Sequence, residues 1–167
     1  MPWPRHYDEL MKQCGVMPPV RTIYGETERL TDIFADNSFH FVYAQNSIDH
    51  TYDPIQAIRQ MVRVAKENCF LVLRHVENEA ENQQYGGLHQ WSFGLEEGMF
   101  VIKTRTDRIV VSRELADLGD IAAYREHEWL VVQIQKRPAS LWSRMLRIAI
   151  RVRGCGGKRS KRLNERA

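Results

Sequence analysis

The chain has 167 residues, 43% of them hydrophobic and 27% charged, which suits one soluble domain with a real core. No apolar run reaches the length of a membrane span, and the amino terminus lacks the basic-then-apolar layout of a secretory signal. The net charge of +3 conceals an asymmetry: residues 136–167 hold eleven Lys or Arg and one acid, leaving the rest of the chain mildly acidic. That division does not suggest a nucleic-acid-binding domain; it suggests a mildly acidic domain with a basic tail able to meet an anionic surface, and no nucleic-acid partner is expected. Cys14, Cys69 and Cys155 are odd in number and scattered without zinc spacing, so the chain reads as reduced and cytoplasmic.

In chain order, Tyr7, Leu10, Met11 and Cys14 fall at helical spacing, predicting a short helix over Arg5–Cys14 that Gly15 ends. Pro18-Pro19 breaks the chain before an extended Val20–Tyr24, and Glu26–Phe34 suits a short helix with an acidic head. After the Asp36-Asn37-Ser38 turn, Phe39–Ala44 is nearly all apolar, as for a strand covered on both faces. Gln45–His50 follows at the carboxyl end of that strand, where open α/β sheets place their ligands.

The next helix carries the strongest signals. Asp53 can cap it, Pro54 suits its first position and Gln56 completes a capping-box pattern. Ile55, Ile58, Met61, Val62 and Ala65 form its apolar face, and Asn68 fits a left-handed turn at its end. Cys69–Leu73 is then a second buried strand, so strand, helix and strand make a parallel crossover. The polar stretch Arg74–Gly98 is too long for a simple connector and is a candidate binding segment. Met99–Lys103 and Arg108–Ser112 pattern as a hairpin, Glu114–Leu118 as a helical turn and Glu128–Gln135 as a last strand. A final helix, Ser140–Val152, precedes a Gly- and Lys/Arg-rich tail expected to be disordered.

The segment FVYAQNSIDHTYDP (Phe41–Pro54), the helix after it and CFLVLRH (Cys69–His75) together resemble a class I S-adenosylmethionine-dependent methyltransferase of type 11. PPVRT (Pro18–Thr22) and GETERL (Gly25–Leu30) resemble that family's third strand and following loop. ENEAENQQYGGLHQWSF (Glu77–Phe93) resembles a segment of one bacterial subgroup. The resemblance covers residues 2–135 and implies a carboxyl-terminal portion of the domain, without the glycine-rich cofactor loop. The expected fold is α/β: a partial Rossmann-like sheet with parallel strands and a terminal antiparallel hairpin, plus a basic carboxyl-terminal helix. Two parts follow, a truncated methyltransferase-like domain over 1–135 and an amphipathic helix and tail over 136–167. His40 replaces the Asp usual before the fourth strand, and Glu67-Asn68 replaces a Pro-Gly.

In the full family the strand order is 3-2-1-4-5-7-6. Phe39–Ala44, as the fourth strand, then has an unpaired apolar edge here. Val20–Tyr24 docks beside it, or a second copy or complementing chain covers it, or the chain is a fragment of a longer protein; the last is the preferred expectation.

The resemblance implies S-adenosylmethionine as cofactor, with Glu26 and Thr27 at the adenine and Gln45 and Asn46 at the methionine end. Glu26 can equally be a helix-start acid, and the two amides simple turn-formers. His50 is the candidate general base, oriented by Asp49; a packed surface histidine is the bland alternative. Tyr85, His89 and Trp91, with His75, are expected to wall a substrate site for a small molecule or glycan precursor. His75, Glu77, Glu79 and Glu81 alternate and would share one face of an extended segment, but a solvated acidic loop explains them as well, and no metal ligand is assigned. Trp142, Met145, Leu146, Ala149 and Ile150 make an apolar helix face rimmed by arginines, suited to an anionic membrane or to protein packing. Against the enzyme stands a second hypothesis, a non-catalytic methyltransferase-like module used for binding or assembly. A metal-dependent hydrolase built on the His and Glu residues is a distant third.

Overall fold

The computed structural model describes residues 3–139, with side chains from His6 onward. The expected carboxyl-terminal helix, its apolar face and the basic tail lie outside the described residues, as does Cys155.

The first helix, α1, spans Trp3–Gln13. It ends on Gly15, whose φ of +68° is the left-handed geometry that glycine adopts freely. Residues 21–26 carry no strand, and Val20, Ile23 and Tyr24 are exposed. The strand expected there does not form, because a strand exists only through its ladder partners, and no described strand lies beside it. A 3-10 segment, Thr27–Asp32, replaces the short helix expected over Glu26–Phe34 and is kinked at Arg29. It docks through Thr31, whose amide and hydroxyl both donate to the buried Gln60 Oε1 at 3.1 and 2.8 Å.

Strand β1 (Phe39–Gln45) leads into helix α2 (Pro54–Val64) and strand β2 (Ala65–Val76). Asp53 caps α2 as its sequence promised, accepting from the Gln56 amide at 2.9 Å. The reciprocal half of the box comes from elsewhere: Glu28 Oε1, not Gln56, receives the Asp53 amide. The helix stops at Val64, earlier than its apolar pattern suggested. Ala65 already pairs with Phe39, and Asn68 (φ +62°) sits in an irregularity inside β2 rather than at a helix end.

The remaining elements are α3 (Glu79–Asn82), β3 (Ser92–Glu96), β4 (Met99–Lys103), β5 (Arg108–Val110), α4 (Val111–Glu114), β6 (Gly119–Glu126) and β7 (Trp129–Lys136). Sequence reading did not identify β6, which pairs antiparallel with β7 along its whole length. The main sheet has the order β1-β2-β7-β6, parallel between β1 and β2 and antiparallel after that. The order agrees with the 4-5-7-6 half of the sheet that the resemblance implies. The strands β3-β4-β5 form a separate antiparallel sheet.

Leu71, Leu73, Leu130, Val132 and Ile134 point from the main sheet into one core, together with Ile58 and Met61 of α2 and Phe93 and Phe100 of the small sheet. Each such side chain contributes about 1.5–3 kcal/mol by leaving water. The expectation that β1 is covered on both faces is wrong. Phe41 is 57% and Tyr43 47% exposed, because among the described residues β1 is an edge strand and its second face has no cover.

Candidate functional site

The site is built at the carboxyl end of β1. Asn46 turns the chain in the left-handed conformation (φ 43°), which a short amide side chain tolerates. Its amide donates to the Arg74 carbonyl at 3.0 Å, and its Oδ1 accepts from the Val76 amide at 3.0 Å. Both ends of Asn46 are therefore spent on locking β1 to β2. Ile48 plugs the core below, and a 3-10 turn over Ile48–His50 follows, closed by the Thr51 hydroxyl donating to the Ile48 carbonyl. From the other side, the buried Glu28 carboxylate receives the Tyr52 amide at 2.9 Å. Nothing in the sequence singled out Glu28; its only signal is an acid in a segment that precedes a capped helix.

This clamped turn lifts Asp49 into a nearly closed position, 4% exposed, at the centre of three imidazoles. His89 Nδ1 lies 3.0 Å and His50 Nε2 3.3 Å from Asp49 Oδ2, and His75 Nδ1 lies 3.5 Å from Oδ1. His75 arrives on the inner face of β2, 2% exposed, with its ring 4.4 Å from that of Phe93. His89 comes from the loop before β3. That loop is fastened by Trp91, whose indole Nε1 donates to the Thr51 carbonyl at 2.8 Å. The rings of His50 and His89 meet edge to face at 4.8 Å.

Burial alone would push the Asp49 carboxyl up; the polar contacts and charges of the surrounding His75, His89 and His50 outweigh it and hold the group below its ordinary range. Asp49 is thus an ionised hub. Two of its neighbours, His50 and His89, remain about one third open to solvent.

Of the residues singled out in the sequence, Asp49, His50, His75 and His89 come together, with Trp91 bracing them. Gln45 and Thr27 line a groove of about 430 Å³ along the unpaired edge of β1, with Leu30, Phe41, Tyr43 and Ser47. Gln45 Oε1 also accepts from the Tyr43 hydroxyl at 2.6 Å. Glu26 receives the Tyr52 hydroxyl at 3.0 Å. Tyr85 is committed elsewhere, donating to the Thr104 carbonyl and lying under the Arg105 guanidinium.

The alternating acids do not share a face with His75. β2 ends at Val76 and the chain then coils into α3, so Glu77 is held by Arg125 and Glu81 by Lys103. The second of these charge pairs was not foreseen, nor was Arg125 as the clip that also donates to the Leu95 carbonyl.

With this geometry in hand, comparison gives a consistent relationship. The family model described as a methyltransferase domain, of the type 11 group, matches residues 6–73. Among curated proteins none matches the chain. Among solved structures, the PH0226 protein of Pyrococcus horikoshii is similar with a TM-score of 0.51 and 14% identity, over 80% of this chain and 68% of that one. An S-adenosylmethionine-dependent methyltransferase of Thermotoga maritima follows at 0.49 and 17%, over 79% and 70%. One of Methanosarcina mazei stands at 0.46 and 16%, over 78% and 77%. The first of these supports the fold, and the family match bears out the resemblance to type 11 methyltransferases.

Proposed function

We propose that this chain, whose residues 6–73 match the methyltransferase domain, is the carboxyl-terminal part of a class I methyltransferase that acts on a small molecule or glycan precursor. Two observations support this reading: Asp49 paired with His50 just beyond parallel strand β1, and a groove along that strand that Gln45 and Ser47 line. Parallel α/β sheets bind ligands at that end of their strands, and the groove volume lies within the usual range for small-molecule sites, roughly 300–1,000 Å³.

The family match supports S-adenosylmethionine as the cofactor. When bound, it supplies an electrophilic methyl group on a sulfonium sulfur. The described residues fit one end of it: Leu30, Phe34 and Phe39 offer an apolar wall for a flat base, and Thr27 and Gln45 offer polar ends. The described residues contain no glycine-rich strand-to-helix turn for the other end. In the reading proposed here, Asp49 accepts from His50 Nε2 and leaves the other ring nitrogen to take a proton from an acceptor hydroxyl or ammonium. Displacement at a methyl group otherwise needs mainly alignment of acceptor and donor, the task assigned to the loop around His89 and Trp91.

One observation favours a second reading, a non-catalytic binding or assembly module. The free edge of β1, with Phe41 and Tyr43 exposed, offers a ladder to a second copy or to a complementing chain. We read the chain as cytoplasmic, a reading supported by the free Cys14 and Cys69. Among the described residues no helix is long and apolar enough to cross a membrane; contact with an anionic membrane is a reading of the basic tail alone.

Calorimetry with S-adenosylmethionine and S-adenosylhomocysteine separates the two readings. Micromolar binding to this chain is expected for a surviving cofactor site, weakened at least tenfold by Gln45→Ala. No heat at millimolar ligand would leave the binding-module reading in its place.

A further inference from the structure

We propose that Asp49 Oδ2, His50 Nε2 and His89 Nδ1 form a binding site for one divalent transition-metal ion of the zinc and cobalt kind, with His75 as the group that positions the carboxylate. The proposal does not depend on methyl transfer, since the chain can hold such an ion whether or not it turns over a substrate.

The first argument is geometric. Three potential ligand atoms, one on each residue, lie within 4.8 Å of one another. The two nitrogens stand 3.0 and 3.3 Å from the same carboxylate oxygen. Bonds of about 2.0–2.1 Å to a small divalent ion put adjacent ligand atoms roughly 2.9–3.4 Å apart. The cluster therefore already has two edges of a coordination polyhedron, and a modest closing of His50 towards His89 completes the third. Two imidazoles and a carboxylate suit borderline ions such as zinc and cobalt better than calcium or magnesium, which prefer oxygen alone.

A second, independent observation comes from polar groups without partners. Asp49 Oδ1 and His75 Nε2 are both buried and have no hydrogen-bond partner. His75 Nδ1 faces that oxygen at 3.5 Å, just too far for a full bond. A buried carboxylate left half-satisfied among three imidazoles is costly to keep in a hydrogen-bonded network alone. An ion on Oδ2 would fix the carboxylate plane and draw Oδ1 towards the His75 N–H, the arrangement in which an outer group orients a ligating one.

Access and rigidity agree. His75 is locked between β2 and Phe93, and the turn bearing Asp49 is held by Glu28, Asn46 and Trp91. His50 and His89 keep about one third of their side chains open, which gives an ion a path in. Three protein ligands leave at least one position for water or for an oxygen of a bound molecule, the pattern of reactive rather than structural sites. An ion on His50 Nε2 leaves the ring proton on Nδ1 and withdraws His50 from proton transfer. Ion loading and the base role proposed above are thus mutually exclusive states of one residue.

The test is titration of the chelator-treated full chain with Co(II), read by its visible d–d bands and by calorimetry, followed by displacement with Zn(II). One equivalent is expected to bind with a micromolar or tighter dissociation constant. His89→Gln and Asp49→Asn should each weaken binding at least a hundredfold, and His75→Gln about tenfold, as outer-shell losses do. His40→Gln/His127→Gln, away from the cluster, should change nothing. Because Asp49→Asn can unfold the chain, the half-open His89 variant, checked by circular dichroism, keeps the result decisive. Absence of d–d bands at millimolar Co(II), binding indifferent to His89→Gln, or a thiolate charge-transfer band from cysteine ligation would each overturn the proposal.

Discussion

The two faces of the main sheet behave differently. On one, Leu71, Leu73, Leu130 and Ile134 are sealed under α2 and the small sheet, each at 1% exposure or less. On the other, Phe41 and Tyr43 stack 6.2 Å apart, Phe70 lies in register with Phe41, and Tyr124 is open as well. The same strands thus present a finished core on one side and an aromatic surface on the other. Folding of the described part rests on the first face, while the second face and the β1 edge stay open. The histidine cluster belongs to the closed side but opens at its margin, which combines a rigid frame with access.

The largest expected effect breaks the closed face. Leu73→Ala, at a position with no exposure, should cost about 2–5 kcal/mol in denaturant unfolding. A loss below about 1 kcal/mol would show that the core there is already loose.

A smaller, pH-dependent effect concerns the clip across the closed side. The Arg125 guanidinium, against the opposing effect of burial, holds the Glu77 carboxyl below its ordinary range, through bonds of 2.5 and 2.7 Å. A lowered carboxylate contributes stability that is complete above the ordinary range, near pH 4.5, and is lost as pH falls through the lowered value. Arg125→Ala should therefore be less stable than the parent at pH 7, with the gap closing as pH falls below the ordinary carboxylate range. A gap that stays constant with pH would assign the loss to the Leu95 carbonyl bond instead.

The smallest effect on stability is expected from the open face. Phe41→Thr/Tyr43→Thr keeps strand propensity and should shift unfolding by less than about 1 kcal/mol. In light scattering it should reduce any self-association. Equal association by the parent and the double variant would remove this face from the list of interaction surfaces.

How far the sequence reached follows the same division. Helix α2 was legible from its start because Asp53 and Pro54 are local signals, but its end was not: Ala65 continues the apolar stripe, and only pairing with Phe39 turns it into strand. β6 escaped because Gly119, Asp120, Ala122 and Ala123 carry little strand preference; β7 supplies its ladder. The apolar run of β1 was visible, but the number of its neighbours is a tertiary fact that no run of residues encodes. At the site, Asp49 and His50 could be read from their place after a strand. His75 and His89 were singled out for other reasons, and their convergence on one carboxylate needed the fold. Glu28 and Arg125 act over 24 and 48 residues and left no local trace.

The irregularity around Asn68 sets which side chains of β2 look inward. In β1 one residue separates the partners of Ala65 and Phe70, while β2 uses four. Because strand side chains alternate, shortening that excess by one residue would exchange the inward and outward sets. Arg74 would then replace His75 opposite Asp49, and a permanent cation would stand where an imidazole now does. The chemistry of the pocket is in this sense a matter of counting, decided several residues upstream of any group that performs it.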